Sequence, residues 1–89
     1  MDSLGLKVYF YQGNSIIKKI GFNKGQTIAV TIGRDGEKVD VGISSSLLSR
    51  QHGQLIFTEI GELYYVDLAS SNGSFVNKIR LRAHEQNKL

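Results

Sequence analysis

The sequence predicts an all-β fold, and three observations carry that expectation. Apolar and polar residues alternate with a period of two through most of the chain, ten glycines and no proline punctuate the alternating runs, and no window holds the 3.6-residue apolar stripe of an amphipathic helix. β-branched and aromatic residues concentrate where the alternation is strongest, as a pleated, half-buried surface favours. At 89 residues one domain over 1–89 is expected, because two cores could not both be buried in so little polypeptide.

The elements follow in order. In a first strand Leu6, Val8 and Phe10 share one face and Lys7, Tyr9 and Tyr11 the other, before Gln12, Gly13 and Asn14 turn the chain. Residues 15–20 form a second short strand, and residues 21–25 a loop. The run 26–32 is the clearest strand, with Ile28, Val30 and Ile32 on one side and Thr27, Ala29 and Thr31 on the other. Strands at 39–43, 53–60 and 62–68 come next, the last two joined around Gly61 as a hairpin. Phe75 with Val76 and residues 79–81 complete the set, while the polar stretch 83–89 is expected to fray. Short strands with turn signals between them, about 8 to 12 residues apart, indicate a sandwich or small barrel and not βαβ units.

Composition narrows the chemistry. With no cysteine and two histidines the chain has neither a disulfide framework nor a typical zinc set, and no metal or other cofactor is expected. No apolar run approaches the roughly 20 residues of a membrane helix, and Met1, Asp2, Ser3 and Leu4 do not open a secretory signal. An intracellular protein, cytoplasmic or nuclear, with no membrane partner is the expectation. The formal charge of +3 favours anionic partners. Nucleic-acid binding calls for cations clustered with exposed aromatics, whereas Lys18 with Lys19, and Arg80 with Arg82, are short, scattered groups, so no nucleic-acid partner is expected. No enzyme is expected either: Ser49 and His52 are the only nucleophile and base close in sequence, and no nucleophile elbow surrounds the serine.

Three polar clusters interrupt the strands: Gly33-Arg34, residues 49–52, and residues 70–74. Singly, each has a plain structural explanation, as a turn glycine beside a solvated cation, a turn-forming serine, and an Asn-Gly turn pair. Together they form an ordered pattern over residues 31–77. It runs from Ile32-Gly33-Arg34, through Asp40-Val41-Gly42-Ile43, to Leu48-Ser49-Arg50-Gln51-His52. It closes with Asp67-Leu68-Ala69-Ser70-Ser71-Asn72-Gly73-Ser74-Phe75-Val76-Asn77.

This pattern resembles the forkhead-associated (FHA) family. The resemblance implies an antiparallel β-sandwich of the FHA/SMAD type that binds phosphothreonine in partner proteins, for signalling or complex assembly. A phosphothreonine brings nearly two negative charges and three acceptor oxygens. The resemblance assigns its fork-shaped cation to Arg34, a hydroxyl donor to Ser49, and further contacts to Arg50 and Ser71. Asn72 would bond the main chain of the bound peptide. Gly33, His52 and Gly73 would support the site, His52 by bracing the loop that carries Ser49. Leu47 or Ala69 would read the residue downstream of the threonine. A phosphorylation-independent FHA-type scaffold or homo-oligomerisation module is the alternative.

Two departures accompany the match. The family usually continues past a Val-Asn-Gly step with strands that close the sandwich, whereas here Lys78 follows Asn77 and the sequence ends twelve residues after Asn77. The last C-terminal strands are thus expected to be missing, leaving an edge at which a second copy could pair as a homodimer. The segment from Arg34 to Asp40 is also a residue longer than typical.

Overall fold

The computed structural model describes residues 5–35 and 38–89. Nine strands and no helix occur among them: β1 (Leu6–Gln12), β2 (Ser15–Phe22), β3 (Ile28–Arg34), β4 (Val41–Ile43), β5 (Gly53–Phe57), β6 (Leu63–Asp67), β7 (Phe75–Val76), β8 (Ile79–Arg80) and β9 (Asn87–Lys88). A five-stranded sheet has the order β4-β3-β5-β6-β9, and β1-β2 and β7-β8 form separate two-stranded ribbons. This all-β arrangement is consistent with a sandwich.

Alternation builds the core as the sequence suggests. Val30, Leu55 and Tyr65 lie side by side across β3, β5 and β6, and so do Ile28, Phe57 and Leu63. Paired residues share a face, and all six belong to or pack against one apolar cluster. Val8, Phe10 and Ile20 of the β1-β2 ribbon pack against the same cluster.

Phe22 extends β2 beyond the expected end at residue 20. It is 1% exposed and stacks on Phe57 with ring centroids 5.0 Å apart, an arrangement worth about 0.5–1.5 kcal/mol beyond the area it buries. Gly21 conceals the element in the sequence, because the strand runs through it to reach a core position.

The turns follow their residues. Gly13 takes φ 61° between β1 and β2, as the first central residue of a two-residue hairpin often does. Between β5 and β6, Gly61 at φ 89° donates its N–H to Thr58 O at 3.0 Å, and Thr58 N–H donates to Glu62 O at 2.8 Å. That is the expected hairpin, with five residues between the strands.

Two expectations need correction. One pairing is parallel: β4 runs alongside β3 with Ile32 opposite Val41, so the sheet is mixed and not purely antiparallel. Asp40 clamps the return, since its N–H donates to Thr31 O at 3.0 Å and its Oδ2 accepts from Thr31 N–H at 2.9 Å. The added length expected between Arg34 and Asp40 involves residues 36–37, which lie outside the described residues. The stretch 83–89 does not fray. Asn87 and Lys88 pair with Tyr65 and Tyr64, Lys88 Nζ meets Glu62 Oε2 at 2.8 Å, and Ala83 bridges to Asp67. Polar side chains and backbone pairing, which leave no apolar alternation to detect, hold it.

Candidate functional site

The C-terminal end of β3 gathers the site. Arg34 is the last residue of that strand, and its N–H donates to Ser49 O at 3.0 Å. His52 N–H donates to Ile32 O at 2.8 Å, and Leu68 N–H to His52 O at 3.0 Å. Both loops, 44–52 and 68–74, are therefore tied by their main chains to the sheet that carries Arg34.

Gly33 makes the close docking geometrically possible. A Cβ on this residue would lie 1.8 Å from the carbonyl oxygen of Arg50. The glycine serves this close approach and not a left-handed backbone: Gly33 is not among the residues at positive φ.

Side chains then cross-link the two loops. Ser49 Oγ accepts from Ser71 N–H at 2.9 Å, which leaves the hydroxyl hydrogen available to another acceptor. Asn72 Nδ2 donates to Leu47 O at 2.7 Å, so this residue tethers the opposite loop while its carboxamide oxygen and second N–H are open to other partners. The buried His52 spans both loops: its Nδ1 accepts from Ser49 N–H at 3.1 Å, and its Nε2 lies 2.9 Å from Gly73 O. A carbonyl can only accept, so the proton sits on Nε2 and the imidazole is neutral.

Beneath the loop lies a network that the sequence reading did not single out. Asp67, 3% exposed, accepts from Ser70 N–H at 3.1 Å, from the Ser70 hydroxyl at 2.5 Å and from the Ser74 hydroxyl at 2.7 Å. Burial by itself would raise its pKa. The Ser70 and Ser74 hydroxyls and the Ser70 amide outweigh burial and hold the carboxyl below its ordinary value of 3.8. Tyr65 Oη lies 2.7 Å from Ser74 Oγ and fills the space over Gly53, where a Cβ would come within 1.9 Å of it. Burial pushes the tyrosine pKa up. The Asp67-x-x-Ser70 spacing, which suits an aspartate bonding the backbone and hydroxyl three residues on, was the available signal.

The result is one open pocket of about 260 Å³, lined by Arg34, Ser46, Leu47, Leu48, Ser49, Arg50, Ser71 and Asn72. All five proposed contact residues line it, although they come from three separated segments. Among the described residues its lining holds two arginines and no carboxylate, and the Arg34 guanidinium has no hydrogen-bond or ion-pair partner among them. Gly33, His52 and Gly73 are not part of the lining. Of the two residues expected to read the downstream position, Leu47 lines the pocket at 69% exposure, whereas Ala69, at φ 57°, is not part of the lining. No cluster able to hold a metal ion occurs among the described residues.

The family model for the FHA domain matches residues 30–89. The chain belongs to the FHA domain family. FHA domains are interaction modules that generally bind phosphopeptides, and the match spans every loop of the pocket while leaving β1 and β2 ahead of it. Five solved chains match this FHA domain. The FHA domain of the CT664 protein from Chlamydia trachomatis is 27% identical with a TM-score of 0.68, covering 83% of this chain and 70% of that one. Full-length yeast Pml1p is 22% identical with a TM-score of 0.68, covering 96% of this chain and 63% of that one, and shares the fold. No curated protein matches the sequence. No helix among the described residues is long and apolar enough to cross a membrane.

Proposed function

We propose that this FHA domain binds phosphothreonine-containing segments of partner proteins through Arg34, Ser49, Arg50, Ser71 and Asn72. The observation that carries the reading is the convergence of Arg34, Ser49 and Asn72 on one pocket that no carboxylate lines among the described residues. Arg34 supplies two parallel donors to the phosphate, and the Ser49 hydroxyl adds a neutral one. Asn72, held at Leu47 O, keeps a carboxamide face for the peptide main chain. Because the loops are already cross-linked, little ordering entropy is lost when the peptide arrives.

Threonine is preferred over serine because its methyl group packs against the leucine side of the pocket, Leu47 and Leu48. Burying one methyl is worth about 0.8 kcal/mol, or roughly a fourfold preference. Calorimetric titration with phosphothreonine, phosphoserine and unmodified peptides tests the reading. Truncating one partner of a buried charge pair costs about 2–5 kcal/mol, so Arg34→Ala is expected to lose nearly all binding. Equal binding of unmodified peptide would instead favour a phosphorylation-independent scaffold.

A further inference from the structure

Charge is divided unevenly along the chain. From Ser3 to Arg34 there are five cations, Lys7, Lys18, Lys19, Lys24 and Arg34, and no carboxylate. This stretch alone is more positive than the +3 of the whole protein. The β1-β2 ribbon turns part of that charge to one face, and strand register shows which. Val8 opposes Ile20 and Phe10 opposes Lys18, and Val8, Phe10 and Ile20 pack inward on the core. The intervening pairs therefore point outward: Lys7 with Gly21, Tyr9 with Lys19 and, past a bulge after Phe10, Tyr11 with Ile16. Tyr9, Tyr11 and Ile16 are 44%, 60% and 45% exposed.

We propose that this outer face binds an acidic, apolar-rich segment of the same partner whose phosphothreonine enters the pocket, a proposal that rests on the phosphothreonine reading above. The chemistry is complementary. Lysines on a ribbon without carboxylates attract aspartate and glutamate, and Tyr9, Tyr11 and Ile16 offer apolar area to the side chains between them. The place is also suitable. At the turn end of the ribbon Gln12 Nε2 donates to Ser44 O at 3.3 Å, at the start of the loop that lines the pocket. From Gln12 back to Lys7 the strand spans about 17 Å, within reach of a chain anchored by its phosphate.

Other occupants fit less well. A second copy meeting the ribbon face to face would set lysines against lysines, and a nucleic acid would stack on the tyrosines but find Ile16 where another base-stacking ring is wanted.

The test is a fluorescence-anisotropy titration with a short phosphothreonine peptide and the same peptide extended, before or after the phosphothreonine, by a tail of alternating acidic and leucine residues. A neutral tail of equal length is the control. In the wild-type domain one acidic tail is expected to tighten binding about tenfold through tethering. That gain should vanish in the Lys7→Gln, Lys19→Gln double variant and shrink at high salt, while the short peptide binds both proteins alike. No gain from either tail, or a gain that survives in the double variant, overturns the proposal. So does an oligouridylate that binds the ribbon more tightly than the acidic tail. Failure of the pocket reading is visible separately, as short-peptide binding to Arg34→Ala that equals wild type.

Discussion

Gly33→Ala should damage stability and binding together, because the glycine sits where main chain meets main chain. An alanine Cβ would lie 1.8 Å from the Arg50 carbonyl oxygen and 2.7 Å from its carbon, whereas real Cβ contacts essentially never fall below 3.0 Å. The loop must therefore retreat by at least about 1.2 Å, and no rotamer change can relieve a clash with backbone. Retreat pulls Ser49 O from its 3.0 Å bond with Arg34 N–H and moves the Ser49 hydroxyl and Arg50. Overpacking of this kind costs about 1–3 kcal/mol, and a domain of this size melts about 4–8 °C lower for each kcal/mol lost. A displaced hydrogen bond to phosphate adds about 1.5–3 kcal/mol to the binding cost, so phosphopeptide affinity is expected to fall at least about tenfold. Gly21→Ala is the control, since its Cβ would meet nothing within 4 Å. Differential scanning fluorimetry and phosphopeptide titration of both variants decide the matter. If Gly33→Ala melts and binds like Gly21→Ala, the docking explanation is wrong.

Lys78→Gly is expected to stabilise the protein by about 0.5–1 kcal/mol, because Lys78 holds φ 70° in a region that disfavours a side chain; an unchanged or lower melting temperature would contradict this. His52→Ala removes the acceptor of Ser49 N–H and the donor to Gly73 O, at about 1–3 kcal/mol for each buried group left unsatisfied. Phosphopeptide affinity should fall although His52 touches no ligand, and a folded variant with full affinity would refute the bracing role. Acid stability should depend on Asp67. Its folded pKa lies below the ordinary 3.8, so its stabilising contribution is complete above that value and is lost as the pH falls through the lowered one. Melting temperature should drop more steeply below pH 3.8 in wild type than in Asp67→Asn, and parallel curves would exclude the carboxylate.

Alternation revealed β3 and β5 because the core-facing residues of each are the more buried set, whereas in β6 Val66 and Asp67 are both buried although they point to opposite faces, and Gly61 marked the β5-β6 hairpin. It could not reveal the bulge after Phe10, which register alone displays, or the parallel return of β4, which depends on Asp40 clamping Thr31. Phe22 was concealed behind Gly21, and β9 carries no apolar signal because lysine and asparagine contacts hold it. The pocket was legible through the ordered pattern of Arg34, Ser49 and Asn72. Its support was less so: Asp67, Ser70 and Ser74 belong to the ordered pattern without a task assigned to them there, and Tyr65 looks like an ordinary strand residue until the fold brings it to Ser74. Asn72 holds a neighbouring loop as well as facing the pocket, a second task that only the Leu47 carbonyl discloses. The two-residue turn of the β7-β8 ribbon is Asn77-Lys78, both at positive φ, although Asn72-Gly73 has the more familiar turn sequence.

The most direct measurement follows backbone amide shifts while a phosphothreonine peptide is added. The amides of Arg34, Ser49, Ser71 and Asn72 should move together on one binding curve, and the unmodified peptide should leave all four in place. Equal movement with the unmodified peptide, or shifts confined to residues away from these four, would contradict the anion cradle at the end of β3.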